Sequence, residues 1–600
     1  MKPPSASQQA EIVAKILMRQ QQNPAQLVQV LGEINEVLGE LSPQVLTMVG
    51  EELKLSYAEV TGVASFYHFL ELGPRARYRI FWSDNIIEQM QGSTALREEM
   101  CRLLWVEPGR ASADGLVKVG LTSCIGMGDQ GPALLVNGRT VTRMTRARVA
   151  AMVELMRSET AVDNWPEEWF AVADNIRRRD ILLGHPFKAG TALAAALARG
   201  PAAMLGEIQA ARLRGRGGAG FNTGQKWQAC RDAPGEVRYV VCNADEGEPG
   251  TFKDRVLLSS YADLVFEGMS IAGLCIGARQ GLVYLRGEYR YLLEALRSVL
   301  ARRRAAGLLG RNILGTAGYD FDIEIHLGAG AYVCGEESAL IESLAGKRGV
   351  PRSRPPFPVT HGYLDLPTAV NNVETLAAAC LIAESGGACY AATGTEMSTG
   401  SKLLSVSGDC ARPGVYEYPF GVTVAQVLAD AGATDTQAVQ VSGPSGVCVA
   451  PEEFGRRLAF EDLPSAGAFM IFDAGRDMFE VARNFAHFFA DESCGFCTPC
   501  RVGTALVRNL MDKIKAGHGS PADINELFKL QRLMDSTAHC GLGHSACNPL
   551  IDTLKKFRPA YERRLHATDF EPAFDLDYAL SQARQMTGRD DAGAHLANAS

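Results

Sequence analysis

Three cysteines fall within seven residues in Glu492-Ser493-Cys494-Gly495-Phe496-Cys497-Thr498-Pro499-Cys500. With two residues between neighbours, one short loop can turn three thiolates toward a common centre. A fourth arrives from Cys540, in His539-Cys540-Gly541-Leu542-Gly543. Four soft thiolates suit an iron–sulfur cubane, which needs one sulfur donor on each of four irons. Cys547 is the rival fourth ligand, and Cys540 is preferred because the Gly-Leu-Gly after it lets backbone approach a cluster. A structural zinc site, which more often uses two separated CxxC pairs, and a chance grouping of core cysteines are the alternatives.

A second group of residues could hold a nucleotide. Leu213 to Trp227 reads Leu-Arg-Gly-Arg-Gly-Gly-Ala-Gly-Phe-Asn-Thr-Gly-Gln-Lys-Trp, in which Gly215 to Gly220 satisfies GxGxxG. The preceding LGEIQAARL has a helical rather than a strand pattern, so the dinucleotide βαβ reading fails. What survives is the physics of the loop. Glycines let backbone N–H groups close around a phosphate, and Arg214, Arg216 and Lys226 add positive charge. The bland reading is a flexible surface loop.

Three further segments carry polar groups. Val241 to Thr251 follows the strand-like VRYVV and contains Asn243, Asp245, Glu246 and Glu248. At a strand's carboxyl end these can bond ribityl or ribose hydroxyls, although a solvated acidic turn or an irregular calcium loop has the same composition. Gly328 to Glu337 combines small residues with Tyr332, Glu336 and Glu337, and Asn371-Asn372-Val373-Glu374-Thr375 offers paired amides suited to a flavin's polar edge.

The elements that must position these residues follow from periodicity. Apolar residues recur at spacings of three and four from Ile12 through Leu38, so residues 1–75 are expected to be helical. Residues 76–156 mix strand-like RYRIFW, helix-like ALREEMCRLLW, and GLVKVGL with PALLVNG as an expected strand pair. The Trp- and charge-containing stretch 157–199 reads as a linker. Residues 200–385 alternate strands and helices with many glycines, the pattern of an α/β ligand-binding domain. Residues 386–476 hold short strands (KLLSVSGD, AVQVSG, AFMIFD) around one helix, and 477–570 is helical, with MFEVARNFAHFF and ALVRNLMDKI amphipathic. Residues 571–600 read as a tail that frays. The fold class expected is multidomain α/β.

Six hundred residues, 46% hydrophobic and 21% charged, are ordinary for a soluble protein of several domains. The net charge of −8 provides no general attraction to nucleic acid or to an anionic membrane. The first residues lack the apolar run of a secretory signal, and no apolar span reaches the ~20 residues of a membrane helix. A cytoplasmic location is expected, where thiols stay reduced.

The four loops and the cysteine pattern, in this order over about residues 200 to 570, resemble the FMN- and NADH-binding subunit of respiratory complex I. The resemblance extends to its relatives, the diaphorase subunits of NAD-reducing nickel–iron hydrogenases and of NAD-dependent formate dehydrogenases. It implies that Gly215, Gly217, Lys226, Asn243, Asp245, Gly335, Asn371 and Asn372 hold FMN. Phe221 and Phe357 would enclose the adenine of NAD, and Glu248, Tyr332, Glu336 and Glu337 would lie beside the bound nucleotide. Cys494, Cys497, Cys500 and Cys540 would carry one 4Fe–4S cluster. The family often has an aromatic residue where this chain has Ala229, which loosens the expected adenine contact. The 386–476 unit is similar to the family's ubiquitin-like β-grasp domain.

The front of the chain resembles the neighbouring complex I subunit, a helical bundle plus a thioredoxin-like domain, through Ala64-Ser65-Phe66-Tyr67-His68-Phe69 and Cys124-Ile125-Gly126. That domain binds a 2Fe–2S cluster through four cysteines. The matching places here are Ser83, Glu88, Cys124 and Gly128, and one thiolate cannot hold two irons. No 2Fe–2S cluster is therefore expected. A fused front with eroded ligands is similar to the hydrogenase diaphorase subunit, ahead of formate dehydrogenase and complex I. The resemblance then implies hydride transfer between NAD(H) and FMN and single-electron relay through the cluster. The expected partners are an iron–sulfur electron-transfer subunit and the hydrogenase subunits of a soluble hetero-oligomer, with no nucleic acid and no direct membrane insertion. No protein nucleophile or general base is needed. A non-catalytic scaffold that kept the fold and lost the flavin is the reading from another class.

Overall fold

The computed structural model describes residues 5–73, 76–566 and 576–590, and the chain divides into two units, Met1–Ala474 and Gly475–Ser600. The first unit begins with helices Ala6–Arg19, Leu27–Leu38, Pro43–Leu53 and Tyr57–Ala64. Val13, Ile16 and Leu17 meet Val30, Leu31, Ile34, Val45, Leu46 and Val49 in their shared core, as the three-and-four spacing requires. Ser5, Ser42 and Ser56 cap three of these helices, Ser5 and Ser56 through reciprocal capping boxes.

A small sheet follows, made of β1 (Tyr78–Ser83), β2 (Val117–Thr122), β3 (Leu134–Val136) and β4 (Arg139–Val141) in the order β2-β1-β3-β4. GLVKVGL and PALLVNG do not pair with each other, contrary to the sequence reading. They flank β1, one parallel and one antiparallel. The chain between β1 and β2 includes helix Ser93–Leu104, and a crossover of that length returns a strand parallel.

The stretch 157–199 is more than the linker read from the sequence. Trp165 and Trp169 complete the core of the small-sheet domain. β5 (Ile176–Arg178) pairs with a strand more than two hundred residues later, and helix Thr191–Arg199 buries Ala192, Leu193 and Ala196 in the next domain's core. Single tryptophans and a three-residue strand leave no periodicity to detect.

The central sheet has β6 (Tyr239–Ala244), β7 (Gln280–Leu285), β8 (Asp322–Leu327) and β9 (Thr368–Asn372), all parallel, in the order β8-β7-β6-β9. Helices such as Ala262–Ile276 and Val373–Ser385 are buried along nearly their whole length. β6 and β9 are direct neighbours in register, Cys242 beside Asn371 and Asn243 beside Asn372, so the polar ends of two strands emerge together. The last sheet of this unit adds β10 (Ser401–Gly408), β11 (Gly414–Pro419), β12 (Thr436–Val441), β13 (Val447–Val449) and β14 (Ala468–Asp473) in the order β13-β12-β14-β10-β11-β5, with helix Val424–Ala431 packed into its core.

The second unit is helical: Met478–Glu492, Thr498–Lys515, Pro521–Thr537, Gly541–Ser545, Asn548–Lys556 and Arg558–Glu562. A further helix, Leu576–Thr587, stands where the sequence reads as tail, with Tyr578 donating to the Asn509 carbonyl at 3.2 Å. The fraying expected of the final residues, 591–600, lies outside the described residues. Among the described residues no helix is long and apolar enough to cross a membrane. The architecture is the multidomain α/β one expected.

Candidate functional site

The glycine loop is a tight hairpin between two helices. Gly215 N–H donates to the Phe221 carbonyl at 2.9 Å, Thr223 N–H to the Leu213 carbonyl at 2.8 Å, and Arg214 Nε to the Gly220 carbonyl at 2.7 Å. Gly218 and Gly220 have φ of 123° and 63°, a region side chains avoid. A Cβ on Gly220 would also lie 2.4 Å from the Phe460 ring, and one on Gly217 would lie 3.2 Å from Cβ of Asn372. The loop runs into helix Thr223–Asp232, whose N-terminus is capped by Asn222. Backbone without side chains beside a helix N-terminus fits a phosphate-bearing ligand.

The three cations of this loop have different fates. Arg214 stacks on Phe460 at 4.1 Å. Arg216 departs from the sequence reading, because it faces inward and is fully buried, donating to the Arg214 and Thr399 carbonyls at 2.8 Å and to Tyr390 Oη at 2.9 Å. It braces the loop rather than facing a ligand. Lys226 is the cation left at the site: Nζ donates to Glu337 at 2.9 Å and to the Val370 carbonyl at 3.1 Å. Its ammonium lies 5.9 Å from the Phe221 ring, and Phe221 is 56% exposed.

The amides are held from behind. Asn371 Oδ1 accepts from Trp227 Nε1 at 2.8 Å. Asn372 donates to Asp254 at 2.6 Å, accepts from Lys253 at 3.2 Å, and caps helix Val373–Ser385 through the Glu374 N–H. Asn243 Nδ2 donates to the Gly335 carbonyl at 2.8 Å, and its Oδ1 accepts from the Asp245 N–H at 3.1 Å. A Cβ on Gly335 would lie 3.4 Å from the Asp245 carbonyl. The third loop therefore closes onto the second.

Around the nucleotide positions, Glu248 accepts from Tyr332 Oη and from Ser445 N–H at 2.8 Å. Burial raises its carboxyl above the ordinary range against the pull of those bonds. Glu336 spends one oxygen capping helix Glu337–Leu344, accepting from Ser338 and Ala339 N–H at 3.0 and 2.9 Å. Arg354 approaches Glu336 and Glu337 at 3.6 and 3.5 Å. Phe357, three residues on, is 52% exposed. Lys226 thus links Phe221 with Glu337, and Arg354 links Glu337 with Glu336; Asn243 joins Asp245 to Gly335, Gly217 lies against Asn372, and Glu248 meets Tyr332.

Sequence reasoning missed a buried layer beneath the amides. Lys253, Asp254, Glu374 and Lys402 are all buried. Lys253 contacts Asp254 at 2.6 Å and Glu374 at 3.0 Å, and Lys402 donates to Glu374 and to the Arg216 carbonyl at 3.2 Å. Burial disfavours the Glu374 carboxylate, yet Lys402, Lys253 and Arg216 outweigh it and hold its pKa below the usual range. A lysine in the apolar strand KLLSVSG was the available signal. Ser445 had none.

In the second unit, Cys494 and Cys497 are partly exposed while Cys500 and Cys540 are buried. Gly495 turns the loop at φ 75°. Cys497 and Cys540 stand at the N-caps of helices Thr498–Lys515 and Gly541–Ser545, where the helix dipole favours negative charge. Burial pushes the Cys500 thiol up to about 11, with Cys497, Cys540 and Cys494 close enough to act in the same direction. Cys547 contacts Met534 Sδ at 3.9 Å. A Cβ on Gly543, three residues after Cys540, would lie 2.5 Å from Cβ of Ala538 and 3.2 Å from Cβ of Cys500, so a side chain there would crowd both. A cubane takes each of four thiolates on a different iron. The donor set fits a cluster.

At the front domain's four ligand places, Ser83, Glu88 and Cys124 are buried. Asn85 bonds both Ser83 Oγ at 3.1 Å and Glu88 at 3.4 Å, and Glu88 accepts from the Ala133 N–H at 2.7 Å. Burial pushes the Glu88 carboxyl up to about 8.

Three family models match the chain: the Nuo51 FMN-binding domain over residues 208–380, the NADH-ubiquinone oxidoreductase-F iron-sulfur binding region over 480–564, and the thioredoxin-like [2Fe-2S] ferredoxin over 13–157. The chain is 44% identical over 583 residues to the NAD-reducing hydrogenase HoxS subunit alpha of Cupriavidus necator, covering 95% of this chain and 97% of that subunit. It is 40% identical over 375 residues to an NADH-quinone oxidoreductase subunit of Escherichia coli, covering 60% of this chain and 84% of that one. It superposes with a TM-score of 0.89 and 45% identity on a chain of an NAD+-reducing [NiFe]-hydrogenase solved in the H2-reduced state, covering 96% of this chain and 98% of that one.

Proposed function

The chain belongs to the family that includes the alpha subunit of NAD-reducing hydrogenase and its counterpart in NADH-quinone oxidoreductase, and we propose that it is the diaphorase subunit of an NAD-reducing hydrogenase. It carries an FMN-binding domain and a 4Fe–4S region. Bound FMN supplies hydride exchange with NAD(H), and the cluster supplies one-electron steps. The protein's own residues bind and orient. Gly215 and Gly217 with Lys226 hold the phosphate end, while Asn243, Asp245, Gly335, Asn371 and Asn372 hold the flavin and its tail. Phe221 and Phe357 would stack the adenine, and Glu248, Tyr332, Glu336 and Glu337 would position the nucleotide for hydride transfer. Cys494, Cys497, Cys500 and Cys540 ligate the cluster. The partners are an iron–sulfur electron-transfer subunit and hydrogenase subunits in a soluble hetero-oligomer, and the complex works in the cytoplasm, where thiols stay reduced.

The front domain holds no 2Fe–2S cluster in this reading, although its family model is a [2Fe-2S] one. In support, the Glu88 carboxyl occupies a buried, hydrogen-bonded place with its proton retained to about 8, and Gly128 offers no donor atom.

The observation that carries the function is the pairing, in one chain, of the glycine-loop and amide cradle with a four-cysteine set in which two thiols stand at helix N-caps. Anaerobic purification with metal and flavin analysis tests it. We expect about one FMN and about four irons per chain, not about six. Cys497→Ser should lose iron while keeping FMN. Zinc in place of iron, or FMN lost with iron intact, would overturn the site map.

A further inference from the structure

The front domain contacts the flavin domain through the loop that carries two of the four places matched to cluster cysteines, Cys124 and Gly128. Arg255, wholly buried, donates to the Gly126 carbonyl at 3.1 Å and forks onto Asp129, itself wholly buried, at 3.2 and 3.0 Å. Arg286, also buried, donates to the Cys124 carbonyl at 2.7 Å. Both arginines converge on one residue of the nucleotide loop. The Arg255 N–H donates to Glu246 at 3.0 Å, and the Arg286 guanidinium donates to the Glu246 carbonyl. The Asp254 N–H at 2.8 Å and Tyr289 Oη at 2.8 Å complete the shell of that carboxylate. Gly126, at φ 73°, packs so close that a Cβ there would lie 2.2 Å from Tyr289 Oη. Glu246 is flanked by Asp245 and, two residues on, by Glu248, the positions assigned above to FMN and to NAD.

We propose that the former cluster loop, residues 124–129, is a brace that positions the nucleotide loop 245–251, with Arg255 as the positioning residue and Asp129 as its anchor. The proposal rests on the diaphorase reading for what the loop holds, but the brace itself is a property of the flavin-free chain. A buried guanidinium with a forked carboxylate partner has one good geometry, so it transmits the position of one domain's loop to the other's. Opposite this brace the same loop is held by Ser445 on Glu248, and a Cβ on Gly250 would lie 2.7 Å from Met470 Sδ. The nucleotide loop is therefore clamped between the front domain and the β-grasp sheet.

The test uses the full chain bearing Asp129→Asn or Arg255→Lys, which keep volume or charge but break the fork. Amide hydrogen exchange over Asp245–Thr251 in flavin-free protein should accelerate about tenfold or more while the helices of 478–562 exchange as in wild type. In FMN-loaded protein, the KM for NADH and the FMN dissociation constant should rise about tenfold with kcat within about twofold and iron content unchanged. Should Asp129→Asn fail to fold, Arg255→Lys decides. Unchanged exchange and unchanged KM in a folded variant would overturn the brace. A wild-type chain that takes up no FMN would instead sink the diaphorase reading, and the exchange experiment would still decide the brace.

Discussion

Glu88 illustrates what residue type conveys and what only surroundings do. As a departure from cysteine it was legible, and so was the shortage of thiolates around it; its protonation was not, because burial cannot be read from one position. The sign of its effect on stability follows from the proton count. The unfolded carboxyl ionises near its ordinary value of 4.5, while the folded one keeps its proton to about 8. Between those values the native state holds one proton more than the unfolded state, so stability falls as pH rises through this window, by at most roughly 1.4 kcal/mol per pH unit. Glu88→Gln keeps an acceptor for the Ala133 N–H and removes the titration. Its melting temperature relative to wild type should therefore climb from about pH 5 to about pH 8. A difference that stays constant across that range would mean Glu88 is ionised in the fold. The same blindness to burial explains Arg216 and Glu336. One was expected to face a phosphate and braces the loop; the other was assigned only to the nucleotide and also caps a helix.

Elements were legible where their period is long. The helices of the two ends show three to four turns of apolar spacing, and β6 was visible as the strand-like VRYVV ahead of the acidic loop. The three-residue strands β4, β5 and β13 have too few positions to display a period, and β5 finds its partner, β11, far along the chain; a long-range pairing of that kind is invisible in a local window. The glycine loop was found by composition, but its shape was not. Only Gly218 and Gly220 of its four glycines have positive φ, and Gly220 alone is closed off by Phe460. Gly220→Ala should accordingly weaken FMN binding by about tenfold or more while leaving iron content intact, measured by flavin fluorescence on release. Gly206→Ala, in the preceding helix with nothing within 4 Å of the added carbon, is the control and should bind FMN normally. Equal affinity in both variants would mean the loop's conformation does not matter to the ligand.

Across the whole molecule, the order of the motifs carried more than any motif alone. A lone GxGxxG is weak, and each acidic or amide segment has a bland alternative. Set in sequence with the cysteine loop, they describe a chain that exchanges a hydride in one unit and passes single electrons in the other. How the front domain serves that chemistry was not legible, because its contacts run through buried arginines of another domain. The measurement closest to the central claim is an anaerobic NADH titration of the cofactor-loaded chain, followed by visible absorption and by electron paramagnetic resonance. Wild type should show the flavin band bleaching together with the signal of a reduced cubane, and Cys497→Ser should bleach without that signal. A flavin that is bound yet untouched by NADH, or a cluster signal that persists in Cys497→Ser, would contradict the account.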